Sequence, residues 1–132
     1  MERRGIRYGV CLGYGMFVGI SSLMPSSSFG GWLKIIHCPH SDKIYHFVLY
    51  GIFAVLIRWA AGGKFFRSFW AVLLVCTAYG ALMELGQLLL LNGDRCFSWG
   101  DMAANGLGAG AGTGIYGFYN FVILKFEEKP GN

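Results

Sequence analysis

Residues 69–91 form an apolar run interrupted by Glu84 and Gln87. The run is long enough to cross a bilayer, where a spanning helix needs roughly 20 apolar residues. On a helix, Glu84 and Gln87 lie one turn apart on one face. A carboxylate in hydrocarbon costs at least about 2.5 kcal/mol, so it normally turns inward and has partners. Those partners must come from the rest of the chain.

Composition says what kind of chain supplies them. Of 132 residues, 55% are hydrophobic and 14% charged, with a mean hydropathy of +0.48. Soluble domains carry about 25% charged residues. The expectation is an all-α integral membrane bundle, a single domain over residues 1–132. The net charge of +4 comes from basic residues that flank apolar runs, so no nucleic-acid partner is indicated. Cys11 and Cys76 fall inside apolar runs and read as small buried hydrophobes. Cys38 and Cys96 fall in loops on one side and could pair there if that side is oxidising and the loops approach closely.

Four transmembrane helices are expected, over about residues 8–24, 41–61, 69–91 and 101–124. No small-x-small cleavage site follows the first, which reads as an uncleaved helix. A Ser-, Gly- and Pro-rich loop with Trp32 as an interfacial anchor leads to the second, which ends at Gly62-Gly63. Asn92-Gly93-Asp94 turns the chain after the third. In the fourth, Gly106, Gly110 and Gly114 recur every four residues and predict a groove for close packing, with this helix in the middle of the bundle.

Arg3, Arg4, Arg7, Arg58, Lys64, Arg67, Lys125 and Lys129 fall on one side of these spans. Lys34, Lys43 and Arg95 fall on the other. The positive-inside rule then puts both termini in the cytoplasm of a plasma-membrane protein.

With that topology the polar residues converge. Glu84 lies seven residues from the outer end of its helix, roughly 10 Å deep. Asp42, His46 and Tyr50 descend the second helix by i, i+4, i+8, and Asp101 and Asn105 repeat the i, i+4 step on the fourth. Both helices point their N-termini, with unpaired N–H groups and partial positive charge, at this level. With Lys43 and Arg95 added, the mouth suits a phosphate or pyrophosphate.

Three blocks carry a resemblance. Asp42-Lys43-x-x-His46-Phe47-x-x-Tyr50, Glu84-x-x-Gln87, and Arg95-x-x-Ser98-x-x-Asp101-x-x-x-Asn105-x-x-Gly108 follow in order. The chain resembles the VanZ-like family of small membrane proteins over about residues 21–124. The resemblance implies this topology and a shared site. It also implies a link to resistance against the glycopeptide antibiotic teicoplanin, the association of the family's founding member. The reaction, if any, stays open.

Each feature has a plainer reading. Ser98-x-x-Asp101 is a capping box, and Ser41 could cap the second helix. Capping does not account for the deeper His46, Glu84 and Asn105. A buried pair of Glu84 with Arg95 or Lys43 could tie helices together, although such pairs are weak sources of stability. His46 and the carboxylates suit zinc or another divalent ion, but HExxH and CxxC spacings are absent, and a metal is not the favoured reading. Cofactors are otherwise left unassigned.

Two functions compete. In one, the protein is an enzyme acting on a lipid-linked cell-envelope precursor. There His46, Glu84 and Asp101 are the catalytic candidates. Asp42, Lys43, Tyr50, Gln87, Arg95, Ser98 and Asn105 would bind the substrate. In the other, a non-catalytic membrane protein uses the same pocket to sequester an antibiotic or to regulate an envelope partner. Membrane lipids are partners in both, and a homo-oligomer is compatible with both.

Overall fold

The computed structural model describes residues 2–24, 41–61, 68–90 and 97–127. They form four helices: α1, Glu2–Leu23; α2, Ser41–Ala60; α3, Phe69–Leu90; and α4, Trp99–Glu127. The helical centres match the hydropathy runs. The ends differ where polar residues continue a helix past its apolar part, so α1 begins at Glu2 and α4 reaches Glu127.

Three helices are long and apolar enough to cross a membrane: Arg4–Leu23, Asp42–Ala60 and Phe69–Leu90. The fourth expected span, α4, is not among them. Length is not the reason, because α4 has 29 residues. Its glycines add little hydropathy, and Asp101, Asn105 and Asn120 subtract from it.

Neighbours in sequence run antiparallel, while α2 and α4 run parallel and form the closest pair. Glycine makes that approach. A Cβ on Gly108 would collide with the carbonyl of Phe47, and one on Gly112 with the carbonyl of Gly51. A Cβ on Gly51 would in turn lie 3.2 Å from the Gly108 oxygen. Backbones that close exclude any side chain between them. The packing register is therefore Gly108–Gly112. The expected series departs from it: Gly106 and Gly110 reach only Thr77 and Phe69 at 3.9 Å, and Gly114 faces open space.

α4 makes the closest helix pair of the bundle, with α2. It packs against α2 and α3, and its outer face exposes Leu107, Ile115 and Phe118. Both α2 and α3 pack against all three other helices. The apolar core is built on them, with Leu49, Tyr50, Phe53, Ala54 and Ile57 from α2, Val72 and Cys76 from α3, Val18 from α1 and Ala109 from α4. Cys11 and Cys76 are free thiols, and Cys38 and Cys96 lie outside the described residues.

Candidate functional site

The N-termini of α2 and α4 and the C-termini of α1 and α3 meet at one end of the bundle. There the chain gathers Asp42, Lys43 and His46 from α2, Glu84 from α3, and Ser98, Asp101 and Asn105 beside or on α4. His46, Glu84, Asp101 and Asn105 are all buried.

The α4 terminus is built first. Ser98 is its N-cap: its Oγ accepts the Asp101 N–H at 3.2 Å, and its carbonyl accepts the Met102 N–H at 3.1 Å. In a closed capping box the residue three positions on would reach back to the cap's own N–H. Here that N–H donates to Glu84 Oε2 instead, at 3.1 Å. A carboxylate from α3 thus closes the cap of α4. It also sits where the helix dipole favours negative charge. The Asp101 carboxylate is left to turn elsewhere.

It turns toward α2. Asp101 Oδ2 lies 4.0 Å from His46 Nε2, and Oδ1 lies 4.0 Å from Lys43 Nζ. Oδ1 is buried without a hydrogen bond. The other imidazole nitrogen, His46 Nδ1, is 3.1 Å from Asn105 Oδ1, and its N–H donates there. That bond fixes the ring so that Nε2 faces Asp101. A carboxylate oxygen of Asp42 completes the group, the donor atoms of Asp42, His46 and Asp101 lying within 4.8 Å of one another.

Below this layer Tyr50 is fully buried, its ring stacked beneath His46 at 6.4 Å between centroids. Its hydroxyl and that of Ser22 on α1 are both buried and lie next to each other. Gln87 goes its own way: its Nε2 donates to the Ser22 carbonyl at 2.7 Å and ties α3 to α1. Arg95 lies outside the described residues.

Two glycines make room for this arrangement and were not singled out in the sequence. A Cβ on Gly80 would lie 2.6 Å from Asn105 Nδ2, so Asn105 seats against bare backbone. A Cβ on Gly100 would lie 2.6 Å from Lys43 Cε. The signal was their position, one turn before Glu84 and one residue before Asp101. Ser22, also missed, carries no sequence signal beyond being polar within an apolar helix.

The opposite end has a different character. A cavity of about 660 Å³ is lined by Arg4, Arg7, Arg58, Trp59, Tyr116 and Asn120 among others. The Arg7 guanidinium stacks over Trp59 at 5.1 Å and Arg58 over Tyr116 at 5.5 Å. Among the described residues, Asp42, His46, Glu84 and Asp101 thus gather at one end, and Arg4, Arg7 and Arg58 at the other.

Fold and site together define a small helical membrane protein with a buried polar cluster at one end of its bundle. The chain matches the VanZ/LLP1 family over residues 8–122 and belongs to it. Comparison with curated proteins and with solved structures finds no match.

Proposed function

We infer that the protein binds the phosphate-bearing headgroup of a lipid-linked cell-envelope intermediate at the outer face of the plasma membrane. The observation that carries this reading is the convergence of His46, Asp101, Asn105 and Glu84, all buried, at the end where α2 and α4 present their N-termini. Helix N-termini favour anions. Lys43 adds a mobile cation at the rim, its side chain 45% exposed. The exposed apolar faces of the helices support a site reached by a lipid moving in the leaflet.

Orientation follows from the basic residues, which crowd the end opposite the pocket and put both termini in the cytoplasm. In this reading α4 also spans. Its 29 residues measure roughly 43 Å at 1.5 Å each, more than the roughly 30 Å of hydrocarbon. The family tie to teicoplanin resistance fits a protein that engages an envelope precursor.

His46 and Asp101 are the residues placed to move a proton or hold a ligand, and Glu84, occupied by Ser98, positions them. Envelope lipids from cells with and without the protein, compared by mass spectrometry, test the reading. His46→Ala and Asp101→Asn should abolish any difference in lipid profile or glycopeptide susceptibility that the wild-type protein produces. If both variants match the wild type, the pocket is not the functional site. Native mass spectrometry of the purified protein with an isoprenoid phosphate separates the two mechanisms. An enzyme variant keeps the lipid and loses its conversion, whereas a binding protein loses the lipid itself.

A further inference from the structure

We propose that Asp42, His46 and Asp101 form a binding site for one divalent cation of the zinc or manganese class. The site deepens the reading of this pocket as a headgroup site and shares its residues, but its geometry stands without a lipid.

Three observations carry it. First, one imidazole nitrogen and two carboxylate oxygens approach within 4.8 Å of one another. Asp42 and His46 are a helical turn apart and face Asp101 across the close α2–α4 contact. Second, the imidazole is set up as a ligand. Metal-bound histidines use one nitrogen on the ion and give the other N–H to an acceptor that fixes the ring. Asn105 Oδ1 is that acceptor for Nδ1, and Nε2 points at Asp101 with 4.0 Å between them. Third, Asp101 is 6% exposed, and its Oδ1 has no hydrogen bond. The donor that would satisfy this carboxylate in a capping box, the Ser98 N–H, is held by Glu84. A buried carboxylate oxygen left in that state is costly.

Lys43 is the rival partner, and it is a loose one. Its ammonium stands 4.0 Å from Oδ1, the outer limit of an ion pair, on a side chain 45% exposed. It can leave for solvent as a cation enters. Ligand atoms around zinc at 2.0–2.2 Å sit about 3.4 Å apart, so the 4.0 Å between Nε2 and Oδ2 must close by about half an ångström. The widest pair of the three, at up to 4.8 Å, must close by up to about 1.4 Å through side-chain rotation. One nitrogen and two oxygens suit zinc or manganese, and three protein ligands leave a position open.

The cation also answers a problem of charge. Among the described residues, Asp42 and Asp101 set two negative charges against the one of Lys43, so a phosphate entering between them meets a surplus of like charge. A divalent ion offsets the two aspartate charges, and the open position takes a phosphate oxygen.

The test is calorimetric titration of zinc and, separately, manganese into purified, chelator-stripped protein in detergent, with calcium and magnesium as comparators. One ion per chain is expected for zinc or manganese, with a weaker response to calcium and magnesium. Asp101→Asn and Asp42→Asn should each weaken binding by about 100-fold or more. Asn105→Ala, which leaves the ligands in place, should weaken it about 10- to 100-fold. Lys43→Met should bind at least as tightly as the wild type. The proposal is overturned if the wild type takes up neither ion, or if Asp42→Asn, at the rim and least able to disturb folding, binds like the wild type. Isoprenoid phosphate binding is measured on the same samples with and without metal. Metal uptake without lipid binding would sink the headgroup reading alone, and lipid binding without metal uptake would sink this proposal alone.

Discussion

Glu84 accepts the backbone N–H of Ser98 at 3.1 Å, taking the place that the carboxylate of Asp101 would hold in a closed capping box. One hydrogen bond therefore joins α3 to the start of α4 and releases Asp101 toward His46. Glu84→Gln keeps an acceptor for that N–H, whereas Glu84→Leu does not. The leucine variant should lose about 1–3 kcal/mol of stability, the cost of a buried donor left unpaired, and glutamine should lose much less. Thermal unfolding in detergent gives the comparison. Equal losses in the two variants would mean that the bond to Ser98 does not hold α4.

His46 and Asn105 should be energetically coupled. A double-mutant cycle with His46→Ala and Asn105→Ala should give an interaction term of about 0.5–3 kcal/mol, as for residues in direct contact. Additive losses would mean that the 3.1 Å contact contributes nothing measurable.

The glycine register makes opposite predictions for neighbouring positions. Gly108→Ala and Gly112→Ala each drive a Cβ into a backbone carbonyl of α2 and should cost about 1–3 kcal/mol, the usual range for overpacking. Gly114→Ala enters open space and should be neutral, or stabilising by up to about 1 kcal/mol from helix propensity. Melting temperatures that fall alike for all three would refute the register.

The path of α4 is open to chemical labelling. In a cysteine-free background, Trp99→Cys and Phe126→Cys place thiols at exposed positions near its two ends. A membrane-impermeant maleimide added to intact cells should modify the first and reach the second only after permeabilisation. Labelling of both from the same side would show that α4 does not cross.

Gln87 should behave as a structural residue. Gln87→Leu removes its bond to the Ser22 carbonyl and should cost about 1 kcal/mol of stability while leaving ligand and metal affinity intact. A loss of affinity with unchanged stability would return Gln87 to the pocket.

The parts of this arrangement that were legible in the sequence are those written within single helices. Asp42 with His46, and Asp101 with Asn105, each share a face because four residues make about one turn, and the two pairs begin helices that start at the same end. What was not legible depended on how helices rotate against one another. Glycines alternate through α4, so the four-residue series Gly106–Gly110–Gly114 and the pair Gly108–Gly112 look equally suited to close packing. Gly51 on α2 decides between them. The same holds for Gln87, whose partner is a main-chain oxygen of α1 that no side-chain pattern announces. α4 is left out of the apolar spans partly because the glycines that let it pack closely add little hydropathy.

Seating Gly108 and Gly112 against the carbonyls of Phe47 and Gly51 fixes the phase of α4 about its own axis. One residue inserted or removed within residues 102–107 would leave those glycines seated but turn Asp101 by about 100° away from His46. That stretch is thus constrained in length more than in composition. Ala103 and Leu107, which face outward, can change freely, but the count of residues between Asp101 and Gly108 cannot.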